Sequence, residues 1–168
     1  MAETWVVNAS PLIFLGNAGH LQLLRLVAPG HVVVTETVWN EVTQSPHRDR
    51  STQDLPRADW LERVPAPELP PSVIEWDLDP GEASVIAAAI ALKADRLVLD
   101  DLSGRKCALA HGLPLSGTLG LVIAAQRAGH IASAKATLQE LRAAGMWLSD
   151  DVIFRALQLA GLEAGRSQ

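Results

Sequence analysis

The chain has 168 residues, a formal net charge of −5, 48% hydrophobic residues and 20% charged residues. That much apolar side chain excludes a disordered polymer, and the length suits one domain spanning residues 1–168. The acidic balance excludes a protein coated in positive charge for general nucleic-acid binding, so a polyanion has to be met at a local site.

The elements alternate between short β-rich runs and longer helical ones. Trp5-Val6-Val7 reads as the first strand and Val32-Val33-Val34 as the second, each apolar enough to be buried on both faces. A helix follows over Thr35 to Thr43, and then Ser45 to Asp59, polar and carrying Pro46 and Pro56, reads as a long surface loop. Pro65, Pro67, Pro70 and Pro71 mark a stiff connection, and Val73-Ile74-Glu75-Trp76 reads as a weaker strand. Pro80 to Lys93 is a helix, Leu97-Val98-Leu99 a strand, and four helices close the chain at Leu102 to Ala110, Thr118 to Ala128, Ser133 to Ala144 and Asp150 to Ala160. Repeated βαβ units of this kind predict a parallel sheet covered by helices.

The longest apolar run, Val85 to Leu92, has eight residues, against the ~20 needed to span a bilayer, and the first strand carries no basic leader region. A membrane role is not expected. The single cysteine, Cys107, has no partner for an internal disulfide and reads as core, which fits a reducing cytoplasm.

In an open parallel sheet, ligands and chemistry gather at the carboxyl ends of the strands. Strand one ends in Asn8-Ala9-Ser10-Pro11, and the second runs into Thr35-Glu36 with Glu41 further along its helix. Trp76 leads to Asp77, Asp79 and Glu82, and the strand at Leu97 ends in Asp100-Asp101. Carboxylates converging on one rim repel each other unless a cation neutralises them, and hard oxygen donors suit Mg²⁺ or Mn²⁺.

Each acid also has a plainer reading. Asp79-Pro80-Gly81-Glu82 matches a helix start with an acceptor at the N-cap, proline at the first helical position and glutamate at the third, so Glu82 could be half of a capping box. Against that, Glu82, Ile86, Ala89 and Ile90 share one helical stripe, which turns the carboxylate toward the sheet. Asp100 or Asp101 can cap the following helix, which leaves one of the two over. Glu41, beside Val38 and Val42, is in the usual setting of a solvated glutamate. Asp150 and Asp151 complement a helix dipole and stay outside the site. The five histidines lack the spacing of a zinc motif.

Five segments in order carry a family resemblance: Val6-Val7-Asn8-Ala9-Ser10-Pro11-Leu12-Ile13, Val38-Trp39-Asn40-Glu41-Val42, Leu78-Asp79-Pro80-Gly81-Glu82-Ala83, Leu97-Val98-Leu99-Asp100-Asp101 and Gly117-Thr118-Leu119-Gly120. From Trp5 to about Ala160 the chain resembles the PIN-domain nucleases, and more closely a prokaryotic PIN-like subgroup related to the toxins of type II toxin–antitoxin systems. The resemblance implies a three-layer α/β/α sandwich with a central parallel sheet, in which acids from distant segments bind Mg²⁺ or Mn²⁺ to hydrolyse RNA.

Carried over residue by residue, Asn8 stands where active PIN nucleases usually have aspartate, Ser10 is the nearby hydroxyl, and Glu41, Glu82 and Asp101 are the acids, with Asp100 the near alternative. Glu82 replaces a more usual aspartate. Ser116 and Thr118, before a helix start, are expected to receive a phosphate, and Arg105 and Lys106 to guide the strand backbone; plain capping and solvated-helix roles are the alternatives. The resemblance also implies a small antitoxin partner and a homodimer. Asparagine contributes no charge and no general base, so the competing expectation is a noncatalytic PIN-like module that binds RNA or protein.

Overall fold

A computed structural model describes residues 2–162; Met1 and residues 163–168, which the expected 1–168 domain includes, lie outside the described residues. Five strands form one parallel sheet in the order β3-β2-β1-β4-β5: β1 (Thr4–Val7), β2 (His31–Thr35), β3 (Leu61–Val64), β4 (Arg96–Val98) and β5 (Leu115–Ser116). The described helices are α1 (Ala9–Asn17), α2 (Gln22–Val27), α3 (Glu36–Thr43), α4 (Arg50–Asp54), α5 (Pro71–Ile74), α6 (Pro80–Ala91), α7 (Leu102–Ala110), α8 (Thr118–Arg127), α9 (Ala134–Ala143) and α10 (Asp150–Leu159). Helices and sheet together form the three-layer α/β/α arrangement.

β1 is the central strand, with Val6 opposite Val33 on one side and Leu97 on the other. Val6, Val7, Val33, Val34, Leu97 and Val98 are all buried, as strands covered on both faces require. α6 packs against β1, β2 and β4 and is buried almost all round, which its run of alanine, valine and isoleucine permits. That burial fixes the helix whose first turn carries Glu82.

Two expectations need correction. Val73-Ile74-Glu75-Trp76 is no strand: Pro70 and Pro71 start the single turn of α5, and the Trp76 amide donates to the Val73 carbonyl at 3.1 Å. Ser45 to Asp59 is no open loop either. Asp49 caps α4 by accepting from the Thr52 amide, a 3-10 turn follows at Leu55–Arg57, and Ser51 is buried where α4 meets Gly16 of α1. A side chain at Gly16 would collide with the Ser51 backbone.

Candidate active site

The connection from β1 leads to β2 on one side, and that from β4 leads to β5 on the other, so the strand order reverses between β1 and β4. A crevice opens beyond the carboxyl ends of such a pair. Asn8 follows β1, Asp100 and Asp101 follow β4, and the Asn8 amide donates to the Val98 carbonyl at 3.0 Å.

The acids of α3 and α6 are brought together by a buried chain of hydrogen bonds. Thr35, at the end of β2, caps α3 by accepting from the Val38 amide (3.2 Å) and lies 2.8 Å from the Ser84 hydroxyl. Ser84 spends its own proton on the Gly81 carbonyl at 2.7 Å, so Thr35 is the donor between the two hydroxyls. Across this joint the Glu41 carboxylate rests on Gly81, in the space a Cβ there would fill. Local burial raises its pKa, and Asp79 adds to the effect.

Glu82 is the focus of the cluster. Burial, then the charge of Asp101, the charge of Asp79, a hydrogen bond with Asp101 and the charge of Glu41 push its carboxyl up to about 7 from 4.5. The first turn of a helix offers a carboxylate roughly 0.3–1 kcal/mol through the dipole, and here burial and like charge outweigh it. A cleft of about 230 Å³, lined by Trp76, Asp79, Glu82, Asp101 and Ser103, opens here.

The family model "DUF3368: PIN domain" matches residues 4–162. The chain belongs to the PIN-domain family. No curated protein matches it. The PIN domain is a nuclease-type fold that generally uses divalent metals, and the match covers all five strands and the residues that the resemblance singled out.

Within this PIN chain the adjacent aspartates have separate duties. Asp101 caps α7, accepting from the Gly104 amide at 3.2 Å, while its charge bears on Glu82. Asp100 accepts from the Thr118 amide at 2.8 Å and from the Thr118 hydroxyl at 2.6 Å, so it is occupied at the start of α8 and is not left over. Asp79 stands at the N-cap of α6, yet its side chain makes no capping hydrogen bond. The capping-box reading therefore fails, and Asp79 joins the acids. Sequence reasoning named it on the rim but kept it as a helix cap, because aspartate before Pro-Gly-Glu matches a helix start so well.

The residues expected to meet substrate are not gathered at the cleft. Thr118 is fully buried, and the Arg105 guanidinium donates to the Leu99 carbonyl at 2.7 Å. Ser116 lines a different cavity of about 390 Å³ beside Trp5 and Arg96. Ser10 is half-buried in α1, and Lys106 is exposed on α7. A cavity of about 470 Å³ between α9 and α10 includes Asp150, but the hydrogen bond from Arg142 holds that carboxyl below its usual range.

Asn8 completes the picture. It is 4% exposed, its side chain makes no capping bond to α1, and its Oδ1 has no hydrogen-bond partner. Among the described residues, no three His, Cys, Asp or Glu side chains are arranged to hold a metal ion. The donor chemistry still fits a hard cation: carboxylates that repel each other and one unpartnered amide oxygen at the strand-order reversal. An ion bound there would favour the ionised carboxylate of Glu82, so metal binding would release the proton that Glu82 holds at lower pH.

Proposed function

We propose that this PIN protein is a metal-dependent endoribonuclease that hydrolyses RNA phosphodiester bonds with Mg²⁺ or Mn²⁺, and that it is the toxin of a toxin–antitoxin pair. The observation that carries the reading is the concentration of negative charge on Glu82 from Asp101, Asp79 and Glu41. Like charges held together destabilise a fold, and a cation site gives them a use. Glu41, Glu82 and Asp101 would hold the ion, Asp79 would strengthen the field, and Asn8 would offer a neutral oxygen. A bound divalent ion supplies charge neutralisation and a more acidic water. The chain's part would be to bring carboxylates from three segments to one rim. No covalent intermediate is involved.

The toxin role, a small antitoxin and a homodimer rest on likeness to toxin nucleases. A cytoplasmic setting is supported by the lone buried Cys107, and among the described residues no helix is long and apolar enough to cross a membrane.

Incubating the purified chain with total RNA and Mn²⁺, with a chelated control, tests the reading. Cleavage is expected to need the ion and to fall on the order of 100-fold in Glu82→Gln and in Asp101→Asn, while Asp150→Ala is unaffected. Asn8, where active relatives usually have aspartate, favours a second reading as a noncatalytic RNA- or protein-binding module. RNA binding with no cleavage in any divalent ion would establish that alternative.

A further inference from the structure

The acidic cleft poses a binding problem: none of the residues lining it is basic, and the chain carries a net charge of −5. No basic side chain lines the cleft to supply direct phosphate contacts, the usual source of affinity for nucleic acid. An attraction that does not depend on charge has to supply part of the hold.

Trp76 is placed to do so. Its side chain lines the same cleft as Asp79, Glu82 and Asp101 and is 37% exposed. Among the described residues its indole makes no hydrogen bond and no ring contact. Trp5, by contrast, donates to Glu3 and lies under Arg96, and Trp39 faces Arg63. The backbone beneath Trp76 is fixed. Val73 of α5 is fully buried, the Asp77 amide donates to the Ile74 carbonyl at 3.0 Å, and Asp77 itself is held at φ 50°. His111, at the end of α7, hydrogen-bonds the Ser72 hydroxyl at 3.0 Å and ties α5 to that helix. A rigidly mounted aromatic face loses little freedom when a flat ligand covers it.

Resting on the ribonuclease reading, we propose that Trp76 is a stacking platform for an unpaired base of the RNA. A base on the indole brings its own phosphate alongside the acids, and every base has a face to stack, so the contact tolerates sequence. A base inside a duplex is covered by its neighbours and cannot reach the platform.

The test measures binding by the full chain, in Ca²⁺, of a short single-stranded RNA, an abasic phosphodiester of equal length and a blunt RNA duplex, with cleavage in Mn²⁺ followed in parallel. The parent is expected to prefer the single strand over both others by about 10-fold. Trp76→Ala removes that preference, whereas Trp76→Phe retains most of it but loses most of the fluorescence quench on binding. Equal binding of single strand, abasic strand and duplex by the parent, or an unchanged preference in a folded Trp76→Ala protein, overturns the platform while RNA cleavage still supports the ribonuclease. If the parent neither binds nor cuts RNA in any divalent ion, both readings fail together.

Discussion

A buried amide oxygen without a partner forfeits the hydrogen bond that water would have given it, a loss of roughly 1–3 kcal/mol, and Asn8 Oδ1 is in that position. An aspartate in its place would add a carboxylate at the end of β1 to the acids that follow β2 and β4 and open α6. Without divalent ions, Asn8→Asp is therefore expected to lower the melting temperature by several degrees. With Mn²⁺ the loss reverses, because the ion binds the folded state alone, and both Mn²⁺ affinity and RNA cleavage rise above the parent's. Calorimetric titration and thermal melts read the two effects. If Asn8→Asp changes neither affinity nor cleavage, the amide is structural. At this scale the sequence was partly readable: Glu82 and Asp101 stood out by position, but no local pattern separates Asp101 from Asp100. Their roles depend on Thr118, which comes from a later strand end.

Among the elements, α3 and α6 meet through Thr35, Ser84 and Gly81, and the glycine is the point of closest approach. Gly81→Ala would place a methyl on the Glu41 carboxylate, which is the far end of a flexible side chain and can swing away. Alanine is also the better helix former, by about 0.5–1 kcal/mol. The variant is expected to keep the parent's stability within about 1 kcal/mol while Mn²⁺ affinity falls several-fold. Urea unfolding and metal titration together distinguish this from simple misfolding; a strong loss of stability with intact affinity would count against Glu41 as a ligand. β1, β2, β4 and α6 were legible because burial on both faces, or all round, forces an unbroken apolar run. β3 was not, since only Leu61 of its four residues is buried, and β5 is two residues long. α1 hid behind Pro11, a residue that the first turn of a helix accepts because its amide has no partner there. α4 depends on Asn17 and Gly16 of α1, contacts too distant in sequence for any local pattern to announce.

For the whole molecule, Glu82 links stability to pH. Its folded carboxyl titrates at about 7 and its ordinary value is 4.5, so the folded state holds the proton more tightly than the unfolded chain. The contribution to stability is full below 4.5 and is lost as pH rises through about 7. Solvent screening of this half-exposed group reduces it to about 1–2 kcal/mol. Urea unfolding from pH 5 to about 8 without divalent ions, set against Glu82→Gln, isolates the effect: the parent's stability should decline across that window more steeply than the variant's. Parallel slopes would show that Glu82 is not the strained group. Adding Mn²⁺ should reverse the trend at the alkaline end, where the Glu82 proton has already gone.

The central place of β1 also sets an order of events during synthesis. β1 pairs with β2 across a short stretch of chain, but its other edge waits for β4, with Trp5 opposite Arg96 and Val7 opposite Val98. Such distant pairings are slow to form because a long loop must close before any contact rewards it. Asn8 and Glu41 are made with the half of the sheet built from β1, β2 and β3, and Glu82 and Asp101 arrive only with the α6–β4 segment. A nascent chain therefore lacks the complete set of carboxylates until more than half of it has been made, so whatever site they form matures after the first half of the sheet.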